Sequence, residues 1–142
     1  YGVTWQNATL LGKKDAKFTA VFFAEQKYGW AVGSGGAIIA STGGGRLWRA
    51  QASGVDADLT DVFFTSNRDG WAVGDRGTII RTTNGGGQWT LENSHTDHRL
   101  ERVYFYKDKG WAVGFGGVIL KYSDDYRTSS ETKPAIRPRT DQ

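Results

Sequence analysis

The residues best equipped for chemistry in this chain form two groups. His95 and His98 bracket Asp97, with Glu101 three residues further on. That spacing brings two imidazoles and a carboxylate within reach of a single metal ion. Only Asp97 or Glu101 stands near enough to complete a ligand set, and the surrounding residues are of loop type. A solvated loop is therefore expected, with no metal and no cofactor assigned. The second group is basic: Arg68, Arg76, Arg81, Arg99 and Arg102, with Lys121 at the place matching Arg81. A guanidinium grips carboxylates through a planar fork and packs its stem on apolar surface. These six residues are expected to build a protein-binding, arginine-rich face. The net charge of +3 falls short of the dense basic stripe of a nucleic-acid binder, so no nucleic-acid partner is expected. The absence of cysteine rules out disulfides, zinc–thiolate sites and a thiol nucleophile. No glycine-rich stretch runs from a strand into a helix, as a phosphate loop requires.

The elements that must carry these residues are announced by a repeat. Gly29-Trp30-Ala31-Val32-Gly33 returns as Gly70-Trp71-Ala72-Val73-Gly74 and as Gly110-Trp111-Ala112-Val113-Gly114. Upstream lie Val21-Phe22-Phe23, Val62-Phe63-Phe64 and Val103-Tyr104-Phe105; downstream lie Gly36 to Ile39, Gly77 to Ile80 and Gly117 to Leu120. A period near 40 residues means like units, each too small to bury its own apolar face. The middle unit predicts four strands, over Leu59–Thr65, Gly70–Gly74, Thr78–Thr83 and Gln88–Glu92, joined by Gly/Asn/Asp turns. Four-stranded units of this length arranged radially are β-propeller blades. Small residues in the Gly-Trp strand would suit the crowded axis. Trp30, Trp71 and Trp111 would fill the wedges between sheets. Trp48 and Trp89 lead outer strands and belong to the same repeat core, and Trp5 keeps their beat.

The reading is thus all-β: three four-stranded antiparallel blades over residues 1–130, with repeats at about 5–47, 48–88 and 89–129. This is an incomplete ring in one chain. The third unit loses its glycines and tryptophan after Tyr122, so the strand at Trp5 could supply its missing outer strand. Residues 131–142 are polar and contain both prolines, and are expected to form a disordered tail. Three blades do not close a ring, which leaves a fragment, self-association to close the ring, or a covering partner as the options. The chain opens on Tyr1 and shows no leader; processing or trimming is expected. No run of about 18 apolar residues is present, so no membrane insertion is expected.

With the units laid out, the run Gly70 to Gly86 followed by Trp89 resembles a blade of the photosystem II stability/assembly factor family, relatives of Asp-box (BNR) repeat proteins. The likeness extends over about Trp5 to Asp125. It implies a non-enzymatic scaffold outside the cytoplasm, in a periplasm or thylakoid lumen. It also implies docking of an integral-membrane complex subunit through an arginine-rich face, carried over to Arg76 and Arg81 inside the matching run. The Asp-box pattern is eroded: Ser41, Gly45 and Trp48 keep it in the first unit, Thr82, Gly86 and Trp89 in the second, with Gly43 and Asn84 at the aspartate place. Its remnants are expected to serve turn structure. Sialidases share such blades, but their arginine cluster and tyrosine nucleophile cannot be assembled here. A glycan-binding or sialidase-like module and an accessory structural subunit are the alternative readings.

Overall fold

The computed structural model describes residues 3–12 and 15–123; the tail expected over 131–142 lies outside them. Among these residues twelve strands form three sheets. The first contains β1 (Thr9–Leu11), β2 (Phe18–Phe23), β3 (Gly29–Gly33), β4 (Ile38–Ser41) and β5 (Leu47–Gln51), in the order β1-β5-β4-β3-β2. The second holds β6 (Leu59–Phe64), β7 (Gly70–Gly74), β8 (Ile79–Thr82) and β9 (Thr90–Glu92) in sequence order. The third holds β10 (Leu100–Tyr106), β11 (Lys109–Gly114) and β12 (Ile119–Tyr122). Every pairing is antiparallel except β1 with β5. A one-turn 3-10 segment joins β3 to β4, β7 to β8 and β11 to β12, at Ser34–Gly36, Asp75–Gly77 and Phe115–Gly117.

The strand near Trp5 departs from expectation. β1 lies parallel on the outer edge of its own sheet rather than on the third, and Trp5 itself is fully exposed. The edge of β5 follows in the same sheet, so pairing there leaves no donor or acceptor row of that strand bare. The sheets span 9–51, 59–92 and 100–122, so a division between Leu47 and Trp48 falls inside β5.

The three sheets converge on β2, β6 and β10. β2 packs on β6 and β6 on β10, so these strands lie innermost and the Gly-Trp strand is second from the axis. Its glycines therefore have a cause other than crowding at the axis. A Cβ on Gly29, Gly70 or Gly110 would strike the ring of Phe23, Phe64 or Phe105 on the neighbouring inner strand. A Cβ on Gly33, Gly74 or Gly114 would strike the carbonyl of Lys17, Asp58 or Arg99. Alternation along each strand then gives each sheet two apolar faces. One face carries the tryptophan and the following valine, and the other carries Val and Phe of the inner strand. Trp30 stacks on Phe64 of the next sheet at 3.5 Å and 8°. Trp71 stacks on Phe105 at 3.9 Å and 24°. Trp111 has no sheet beyond it among the described residues and is 36% exposed there, unlike Trp30 and Trp71. Trp30, Trp71 and Trp89 are buried and Trp48 is half-buried.

Candidate protein-binding surface

The six basic residues do not share one face. Arg68 lies in the loop between β6 and β7, at one end of the sheets, whereas Arg76 and Arg99 lie at the opposite end among the 3-10 turns. Arg81 is not a surface residue in the expected sense. It points into the space between the second and third sheets, its guanidinium carbon 5.0 Å from the Trp71 ring centroid and 5.8 Å from that of Tyr122. Lys121 and Arg102 stand on strands of the third sheet with their side chains exposed, and Arg102 donates to the Glu101 carbonyl at 2.9 Å.

At the 3-10 end, charge is paired unevenly. Arg99 is held by Asp75 through Nη1 and by Glu101 through Nε at 2.9 Å. The hydrogen bond that Arg99 donates to Asp75 raises the arginine's pKa still further, against partial desolvation and with the support of the bond to Glu101. Among the described residues Arg76 is paired only with Asp56, at 3.4 Å, and both partners are well exposed, at 68% and 98%. Such a pair contributes little stability and is readily exchanged for another carboxylate. The backbone at Arg76 is unusual: its φ is 57°, in the left-handed region, where the sister turns place Gly35 (φ 65°) and Gly116 (φ 72°). A side chain there costs about 1 kcal/mol relative to glycine. Arg76 also stands between two open clefts. One, of about 720 Å³, is lined by Gly36, Val55 and Asp56, among others, and the second, of about 460 Å³, by Ser94, Thr96 and Asp97.

The eroded Asp-box residues are occupied by their own turns. Ser41 Oγ accepts from the Gly45 N–H at 2.9 Å. Thr82 Oγ1 accepts from the Gly86 N–H at 2.9 Å and donates to Asn84 Oδ1, which in turn accepts from the Gln88 N–H. His95, Asp97 and His98 are all exposed, and among the described residues no three His, Asp or Glu side chains converge on a cation position.

Several positions that tie the sheets together escaped sequence reasoning. Thr19 Oγ1 donates to the Leu59 carbonyl at 2.7 Å, and Thr60 Oγ1 to the Leu100 carbonyl at 2.6 Å. Their 41-residue spacing was a readable signal, broken by Glu101 at the third place. Asp61 Oδ2 accepts from the Val103 N–H at 2.9 Å across the same seam. Burial raises its pKa, against those backbone bonds and the nearby Arg102, which lower it.

Comparison with known proteins places this geometry. Two solved structures share the fold: "YCF48 from Cyanidioschyzon merolae", with TM-score 0.71 and 21% identity over 82% of this chain, and "YCF48 bound to D1 peptide", with TM-score 0.65 and 21% identity over 75%. This chain spans 40% and 37% of those two chains, well under half of either. No curated protein matches it. The family model described as photosynthesis system II assembly factor YCF48 matches residues 46–133, from β5 through the whole second and third sheets. The chain belongs to the photosystem II assembly factor YCF48 family of β-propellers.

Proposed function

We propose that this chain is part of a non-enzymatic assembly factor that acts outside the cytoplasm and holds a segment of an integral-membrane photosystem II subunit such as D1. The family match over residues 46–133 carries the reading, and the similar structure of YCF48 bound to D1 peptide supports the class of partner. Within this chain the docking face is the end bearing the 3-10 turns, with Arg76 as its anchor. Three features support that choice. Arg76 occupies a left-handed position that its sister turns give to glycine; strain retained at one repeat and absent from its equivalents points to a use. Its guanidinium is exposed and weakly committed. It stands between two clefts able to take side chains of an extended segment. The glycan-binding alternative has less to draw on, since the Asp-box hydroxyls are engaged within their turns.

The test is fluorescence anisotropy of labelled, overlapping D1 peptides against the whole chain at low and high salt. A peptide containing carboxylates is expected to bind, and more weakly at high salt. Arg76→Gly is expected to weaken that binding about tenfold, as loss of one charge-assisted contact would. The same variant should unfold at equal or higher denaturant, because the turn relaxes. Wild-type-like affinity of Arg76→Gly would remove Arg76 from the site. Failure of every peptide to bind would remove the partner.

A further inference from the structure

The outer edges of the first two sheets are built alike and covered differently. Along the edge of β5, β1 lies in parallel, with Thr9 beside Leu47, Leu10 beside Trp48 and Leu11 beside Arg49. The Thr9 N–H donates to the Arg46 carbonyl at 2.9 Å. Backbone groups of alternate residues point to the same edge of a strand, so Arg46, Trp48 and Ala50 serve this one. The repeat transfers these places to Gly87, Trp89 and Leu91, 41 residues on. Among the described residues no strand lies beyond β9. Nor do residues 87–92 contain the proline, lysine or arginine that commonly blocks an edge. Two observations join this edge to the end that bears the 3-10 turns. Leu91 is 63% exposed and lines both clefts beside Arg76. β9 also runs toward that end, because Ser94 and Thr96, which follow it, lie against Gly77 of the second 3-10 turn. A strand laid parallel to β9 therefore finishes near Arg76. The first sheet has the same layout: Lys17, which follows β1, meets the first 3-10 turn, its carbonyl accepting from the Ser34 N–H at 2.9 Å.

We infer that the outer edge of β9 takes an extended segment of the partner as a parallel fifth strand, by the main-chain pairing that β1 makes with β5. The inference rests on the reading of the 3-10 end as the docking face, and it adds the conformation, direction and composition of what binds there. The segment pairs with the outward N–H and C=O groups of Trp89 and Leu91. It carries an apolar residue at the place of Leu10, beside Trp89, and a carboxylate on the C-terminal side of the paired residues, where the parallel path reaches Arg76. Main-chain bonds supply the register, and the charge supplies the stop.

Amide exchange in the whole protein, read by NMR with and without the D1 peptide that binds in the anisotropy series, tests it. The Trp89 and Leu91 amides are expected to exchange fast in the free protein, and the peptide should slow both about tenfold or more. N-methylation of the peptide's amides, one at a time, should weaken binding about tenfold at alternate positions of the paired stretch and leave the intervening ones unchanged. Leu91→Pro removes an outward N–H while keeping the pairing with β8, so it should weaken binding by a similar factor with circular dichroism unchanged. Should Leu91→Pro not fold, the N-methyl series decides alone. A peptide whose binding needs Arg76 but shows no alternation overturns the inference and leaves the docking reading standing. Trp89 and Leu91 amides already slow in the free protein would mean that another part of the protein covers the edge, which also overturns it. If no D1 peptide binds, the docking reading falls and this inference falls with it.

Discussion

The junction between the first and second sheets and the junction between the second and third begin from the same Gly-Trp-Ala-Val-Gly strand and end differently packed. At the first, Phe64 lies between Trp30 on its face and Trp89 on its edge, with Trp89 at 5.8 Å and 89°. The polar edges of those rings are satisfied. Trp30 Nε1 donates to the Gly85 carbonyl at 2.9 Å, and Gln51 joins the same carbonyl to Trp89 Nε1. At the second, Tyr122 stands edge-on to Trp71 at 5.6 Å and 60°, Arg81 lies over Trp71, and a slot of about 220 Å³ is left between the sheets. Trp71 Nε1 and Arg81 Nε are buried there without a hydrogen-bond partner among the described residues. Each such orphan costs about 1–3 kcal/mol. The strand motif starts a blade junction, then, and the outer strand's tryptophan with its glycine-rich turn completes it. The third unit departs from the repeat after Tyr122, which is where the completing parts would come from.

Four substitutions break or sharpen this contrast. Phe64→Ala removes the ring held between Trp30 and Trp89 and is expected to cost about 4 kcal/mol, the range for emptying a tightly filled aromatic site. Phe105→Ala at the looser junction should cost about 1 kcal/mol less, and urea unfolding of the two variants side by side measures the gap. Equal losses would mean that the slot beside Phe105 carries no energetic weight. Gln51→Ala cuts the link between Trp89 and Gly85 and should cost about 1 kcal/mol by the same assay. It leaves the second junction untouched, so its effect should add to that of Phe105→Ala but not to that of Phe64→Ala. The smallest effect concerns pH. Asp61 spans only the second junction, and burial raises its folded pKa above 3.8. The folded state thus holds this proton more tightly than the unfolded one, and stability from this group falls as pH rises from 3.8 through the raised value. Asp61→Asn keeps an acceptor for Val103 and should flatten that part of the melting-temperature profile. An unchanged profile would show that Asp61 does not titrate differently on folding.

Much of this arrangement could be read from the residues. The period placed β6 to β9 within a residue or two, because alternation and Gly/Asn turns are local signals. The turn role of Ser41, Thr82 and Asn84 was legible for the same reason. What could not be read depends on where one sheet lies relative to another. The exposure of Trp111 follows from having no neighbour, which its own spacing cannot reveal. Arg81 and Arg68 lie in the same unit, yet one enters a seam and the other an outer loop, since strand parity and strand end decide where each points. The pairing of β1 follows from an available edge. The repeated glycines were easily seen, but their reason is the phenyl ring one strand inward.

Among the described residues the middle sheet is covered on both apolar faces, whereas each outer sheet is covered on one. Local opening of either outer sheet therefore uncovers only one side of the middle one, while opening of the middle sheet strips both neighbours at once. Cooperativity in such an array runs along one dimension, and fraying starts from the ends. Strands β6 to β8 are therefore expected to exchange slowest among the described residues, and whatever caps the terminal sheets sets how far inward that protection extends.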